Sequence, residues 1–269
     1  MENEFNNIVL VPTDFSDICQ NAIDHGTEIA EYLNFKLVVL HVIKEELPKD
    51  VIIDNLQNII HNIKKNSNVQ AEFLIKEGNI FNEIHKTATD IGAKLMMLGT
   101  HGKKGLQYLF GSHAFKVITK SPVPTIVVQK KGFNKGYKKI VFPINDFTEA
   151  RQQVQWSMLI AKSFGSEILI FQQPHKDPGI ASKIKIASQQ IEEAFNNNGI
   201  KFEIKIADKA SDFADQLIGY AVSNNADLMV IMTSPDIFSP DFRSGQWSEE
   251  IMFNKAQIPV MCINPILTG

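Results

Sequence analysis

The sequence predicts an α/β protein built from two repeated doubly wound domains, each a mainly parallel five-stranded sheet flanked by helices. Three observations predict it. Strand-like and helix-like segments alternate along the whole chain. The strand-like runs are continuously apolar rather than alternating, as in strands buried on both faces. The whole pattern then recurs after about 130 residues, the mark of an internal duplication.

The repeat is visible in four matched blocks. "IVLVPTDFS" at 8–16 is answered by "IVFPINDFT" at 140–148, an offset of 132. "EIAEYLNFKLVVLHV" is answered by "LIAKSFGSEILIFQQ", "AKLMMLGT" by "ADLMVIMT", and "SPVPTIVVQ" by "AQIPVMCIN". In the first half the strands are expected near 7–12, 36–42, 71–76, 94–99 and 125–129. Helices are expected near 16–33, 48–65, 79–91 and 112–120. Pro122 and Pro124, like Pro259, precede the last strand of each half, where proline ends a helix and is tolerated at a strand start. The basic, aperiodic stretch "KKGFNKGYKK" at 130–139 reads as a linker. The expected domains are therefore 1–132, carrying a ligand site, and 138–269, a degenerate copy.

Composition narrows the function classes. The 269 residues are 44% apolar and 21% charged, as in soluble globular proteins. A net charge of −3 gives no general basic footprint, so nucleic acid is not the expected partner. The apolar runs are too short to span a bilayer, and the start lacks the features of a signal peptide. Cys19 and Cys262 lie far apart in apolar segments and read as buried thiols, which suits a reducing cytoplasm. His41, His61, His85 and His175 have no partners at metal spacing and read as structural or surface residues.

One stretch stands apart. "LGTHGKKGLQYLFGSHAFKVI", at 98–118, follows the fourth strand and holds four glycines, two histidines and three lysines across a loop and the helix it enters. Gly99 and Gly102 permit tight turns. Gly111 precedes Ser112, a candidate N-cap, and a helix start offers unpaired N–H groups to an anion. His101 and His113 could donate hydrogen bonds or stack. Taken alone, a flexible loop before a capped helix fits as well. Position favours a site. Asp14 lies just past the first strand, and in a doubly wound sheet ligands bind beyond the strand ends where the strand order reverses. An acid there can accept hydrogen bonds from a ribose, and it can also cap the following helix.

"VPTDFS" after strand one, together with the glycine–two residues–glycine–spacer–glycine–serine run after strand four, resembles the universal stress protein family in a tandem arrangement. The resemblance covers essentially the whole chain. It implies a fold like that of the adenine nucleotide alpha hydrolases and a stress-response role, with ATP or a related adenine nucleotide bound by some members and not by others. It implies that Pro12 and Asp14 contact adenosine, that Val42 meets adenine through its backbone, and that Leu98 and Gly99 line the site. His101, Gly102, Gly111, Ser112 and His113 would wrap the phosphates, with Mg²⁺ as a candidate companion. The spacer from 103 to 110 is eight residues, one shorter than the family pattern.

The second half departs further. Met232 stands in place of Gly99, its loop holds the single glycine Gly245, and Asp236 and Asp241 put negative charge where phosphates would lie. Glu249 and Glu250, in the first turn of the next helix, already complement its dipole, and Asp146 keeps the Asp14 position but reads as a helix cap. The second half is not expected to hold a triphosphate. Hydrolysis, if any, is expected to be slow, because no obvious base or arginine finger stands near the loop. The alternative function is a nucleotide-independent interaction protein, with an unidentified protein partner, whose two halves form an intramolecular pseudo-dimer. A homodimer is a further assembly left open.

Overall fold

Strand β1 (Ile8–Pro12) begins the fold with Val9, Leu10 and Val11 fully buried. Burying each such side chain is worth about 1.5–3 kcal/mol. The computed structural model describes residues 7–43, 48–100, 112–133, 136–145, 151–233 and 249–265. The chain divides into two compact units, Met1–Lys135 and Gly136–Gly269.

In the first unit β1 leads into helix α1 (Asp17–Leu33). Ser16 caps it, its hydroxyl accepting from the Cys19 N–H at 3.3 Å. Asn34, in the left-handed conformation, ends it. Strand β2 (Lys36–Ile43), helix α2 (Lys49–Asn66), strand β3 (Ala71–Glu77) and helix α3 (Ile80–Asp90) follow. Asn79 caps α3 by accepting from the Phe81 and Asn82 N–H groups. Strand β4 (Leu95–Gly99), helix α4 (Ser112–Thr119) and strand β5 (Thr125–Val128) complete the unit.

The second unit repeats the order with β6 (Lys139–Ile144), α5 (Arg151–Phe164), β7 (Glu167–Gln172), α6 (Pro178–Asn197), β8 (Lys201–Ile206), α7 (Phe213–Ser223), β9 (Leu228–Met232), a helical turn at 249–252 and β10 (Val260–Ile263). Asp177 caps α6 and Pro178 starts it, where proline's missing N–H costs nothing.

The strands run in the order β3-β2-β1-β4-β5 in the first unit and β8-β7-β6-β9-β10 in the second. Every pairing within a unit is parallel. The chain builds outward from β1 through β2 to β3, then returns to the other side of β1 with β4. The strand order therefore reverses between β1 and β4, and between β6 and β9 in the second unit. At both places pairing is short. β1 and β4 pair only as Val9–Leu95 and Leu10–Met96, β6 and β9 only as Ile140–Leu228 and Val141–Met229. The strands diverge toward their carboxyl ends and leave a wedge there.

Candidate functional site

The wedge of the first unit is lined from several elements. Pro12, Thr13, Asp14, Cys19, Leu40, Val42 and Ile80 surround a pocket of about 10 Å³, roughly the room of one water. These residues form a floor at the strand ends and do not by themselves enclose a ring-sized ligand.

Asp14 sits at the centre of this floor. Its Oδ1 accepts from the Ser16 N–H at 3.0 Å. Thr13 Oγ1 likewise accepts from the Phe15 N–H at 3.0 Å. The helix cap is thus Ser16, and Asp14 shapes the turn before it. Burial alone would raise the Asp14 carboxyl, but hydrogen bonds from the Ser16 hydroxyl and N–H and from Cys19 outweigh it. The carboxyl is held below the ordinary carboxylate value, so it is ionised at neutral pH.

Two further residues fix this loop. Phe15 has φ 67°, a left-handed backbone that costs a side chain-bearing residue about 1–2 kcal/mol. Its ring stacks on His41 with centroids 4.5 Å apart and planes 21° apart. His41 Nδ1 lies 2.9 Å from the Thr13 carbonyl oxygen. Burial lowers the His41 imidazole below its ordinary value, with the Thr13 bond and the Asp14 charge opposing. The neutral ring donates from Nδ1 to that carbonyl. The Cys19 thiol faces the same pocket, and burial, reinforced by the Asp14 charge, pushes it up to about 12. It is a packed group and not a nucleophile at neutral pH.

Gly99 ends β4 against α1. A Cβ placed there would lie 2.7 Å from the Ile18 carbonyl oxygen and 3.1 Å from the Cys19 nitrogen. The missing side chain lets the first turn of α1 reach the strand end, a packing role. Leu98 is buried beside it and pairs with Val127.

Pro12, Asp14 and Val42 thus meet in one pocket, with Leu98 and Gly99 at the end of the strand next to β1. Ser112 is the first residue of α4, one position inside the expected cap, a shift within the ordinary scatter of helix ends. His101, Gly102 and Gly111 lie outside the described residues, as do the side chains of Ser112 and His113. The sequence reading did not single out Thr13, Phe15, Leu40 or Ile80, and it gave His41 only a structural role. Thr13 and Phe15 flank Asp14 in the quoted motif, whereas Ile80 arrives from α3 with no local signal.

Two other histidines are tied down elsewhere. His85 Nε2 lies 2.9 Å from the Val117 carbonyl oxygen, linking α3 to α4. His25 Nε2 lies 3.0 Å from the Lys131 carbonyl oxygen. Asn21 donates to the Gln129 and Lys131 carbonyls, so α1 anchors the segment after β5. Among the described residues no cluster of His, Cys, Asp or Glu could hold a metal ion. None of their helices is long and apolar enough to cross a membrane.

The second unit fills its wedge differently. Gln153, 2% exposed on α5, donates from Nε2 to the Val230 carbonyl of β9 at 2.8 Å and reaches the Pro143 carbonyl of β6 at 3.5 Å. Met232, buried at the end of β9, stands where the first unit has Gly99. Asp146, Asp236, Asp241 and Gly245 lie outside the described residues.

Comparison with known proteins places this geometry. A model of the universal stress protein family matches residues 6–129. Two universal stress proteins of Methanocaldococcus jannaschii are similar, each to about half of this chain. One is 29% identical over 153 residues, 46% of this chain and 94% of its own length. The other is 30% identical over 145 residues, 48% of this chain and 85% of its own length. The crystal structure of a universal stress protein from Archaeoglobus fulgidus shares the fold across 98% of both chains, with a TM-score of 0.76 and 17% identity. With the motif-bearing first unit, the repeated sheet order and these relatives together, the chain belongs to the universal stress protein family, as a tandem two-domain member.

Proposed function

We propose that the first unit binds ATP or a related adenine nucleotide at the carboxyl ends of β1 and β4, and that the protein acts in the stress response of the cytoplasm through this single site. The observation that carries this reading is Asp14. It is an ionised carboxylate held in one orientation by Ser16, at the point where the strand order reverses. It offers a ribose a charged acceptor. Val42, at the end of β2, borders the same pocket and supplies backbone for the base. The N–H groups opening α4 supply a positive dipole end for phosphate, and the family resemblance assigns His101, Gly102, Gly111, Ser112 and His113 to the phosphates, with Mg²⁺ as companion cation.

Calorimetry with ATP, ADP and AMP tests this. The wild-type protein is expected to bind, and Asp14→Ala to bind about 10- to 100-fold more weakly, the range for loss of a charged hydrogen bond. Gly111→Trp should weaken ATP more than AMP. A wild-type protein that takes up none of the three overturns the reading. The small volume of the described floor favours one second reading, a nucleotide-independent interaction protein. Mass spectrometry of the denatured purified protein separates the two, because only the first reading expects co-purified adenine nucleotide.

A further inference from the structure

The outer strand of the second unit presents a surface that the nucleotide reading does not use. Among the described residues β8 pairs with β7 alone. Its residues are exposed apart from half-buried Phe202, and Ile204 and Ile206 are 39% and 54% exposed. The equivalent strand of the first unit, β3, keeps Phe73, Leu74 and Ile75 half-buried. A bare apolar edge strand is a template for another strand, and natural proteins blunt such edges with charge. Here the charges are arranged to select one partner.

The backbone direction follows from the β7 pairing. Ala207 donates its N–H inward to the Gln172 carbonyl at 2.8 Å. Peptide groups alternate along a strand, so those of Phe202, Ile204 and Ile206 point to the free edge. An antiparallel copy of the same strand, centred on Ile204, would place Ile204 opposite Ile204 and Phe202 opposite Ile206. All of these are hydrogen-bonded positions. On the other face Glu203 would stand opposite Lys205 at both symmetric positions. Glu203 is already oriented by the Tyr220 hydroxyl, which donates to its Oε1 at 2.7 Å. Centring on Glu203 instead would set Glu203 against Glu203 and Lys201 against Lys205. Centring on Lys205 would set Lys205 against itself. The charge pattern thus favours the Ile204 register over its neighbours on either side.

We propose that β8 is a homotypic docking edge, on which a second copy of this chain adds its own β8 antiparallel, two-fold related about Ile204. The interface is isologous, as closed dimers require. It continues the sheet through main-chain hydrogen bonds, and side-chain charge sets the register.

Sedimentation equilibrium of the full chain tests it. The wild-type protein is expected at twice the mass of one chain at about 100 μM, well above the micromolar constants of weak interfaces. Lys205→Glu replaces two attractive pairs by two repulsive ones and should raise the dimer dissociation constant about tenfold or more. The double variant Glu203→Lys with Lys205→Glu restores opposite charges and should restore the dimer. Ile204→Pro removes an outward N–H without touching the β7 ladder and should abolish association. Circular dichroism melting of each variant confirms that it is folded. A monomeric wild-type protein overturns the proposal. So does a dimer that survives both Lys205→Glu and Ile204→Pro, or a double variant no better than Lys205→Glu alone.

Discussion

The two units have the same sheet order and the same wedge at the strand-order reversal, yet they fill it in opposite ways. In the first, Gly99 lets the opening turn of α1 reach the end of β4, and a loop-held carboxylate faces the gap. In the second, the Gln153 amide bridges toward the carbonyls of β6 and β9, and Met232 caps the strand. Four buried positions of α5 match buried positions of α1. Ala22, Gly26, Ile29 and Ala30 of α1 correspond in burial to Gln153, Ser157, Ile160 and Ala161 of α5. That is an offset of 131, one less than the 132 relating Asp14 to Asp146. The offset thus shortens by one between Asp146 and the helix, and Gln153 stands at the place of Ala22. A duplicated fold can thus keep its architecture while the same wedge is lined by a turn-held carboxylate in one copy and by packed side chains in the other.

Exchanging residues between the halves breaks this comparison most directly at Gly99. Gly99→Met, which installs the residue of the second unit, drives a side chain into the Ile18 backbone. It is expected to destabilise the first unit by about 3 kcal/mol. Both tryptophans, Trp156 and Trp247, lie in the second half. The circular dichroism transition should therefore move to lower denaturant while the tryptophan fluorescence transition stays in place. A shift of both would show that the units do not unfold separately.

Acid should also distinguish the halves. Burial lowers His25 to about 4, against 6.5 in the unfolded chain, despite its bond to the Lys131 carbonyl. The unfolded chain therefore takes up the proton first. The contribution is complete above pH 6.5 and falls as pH drops from 6.5 through 4, by about 3 kcal/mol. The corresponding α5 residue, Trp156, does not titrate. His25→Gln should flatten the pH dependence of the first unit's melting, and an unchanged slope would contradict the assignment.

Smaller effects are expected in the second unit. Gln153→Ala, which installs the Ala22 of the first unit, leaves the buried Val230 carbonyl short of a donor and should cost about 1–2 kcal/mol, read from tryptophan fluorescence unfolding. The smallest change is Ser157→Ala. The Ser157 hydroxyl is buried with no hydrogen-bond partner among the described residues. Removing it should gain up to about 1 kcal/mol, whereas the matching Gly26→Ala in the first unit should destabilise, because its Cβ would lie 2.9 Å from a Val11 methyl.

Much of this was readable in the chain. Expected and observed elements of the first unit agree within two residues at their ends, as for the strand expected at 36–42 and found at Lys36–Ile43. Hydrophobic periodicity and turn residues are local signals, and local chemistry fixes where helices and strands begin. The motif around Asp14 was readable for the same reason. His41 was not readable as its partner, because residues 13 and 41 meet only when β1 and β2 pair.

The sequence by itself determined the duplication, the strand and helix spans, the family, and the loss of glycines in the second loop. Each is a pattern in the order of residues. Only the tertiary structure decided that Gly99 serves the approach of α1, that Gln153 plugs the second wedge, and that Ile204 and Ile206 lie bare on an edge. Those facts depend on which atoms of distant segments come within a few ångströms of one another, a property of the folded packing that no local pattern encodes.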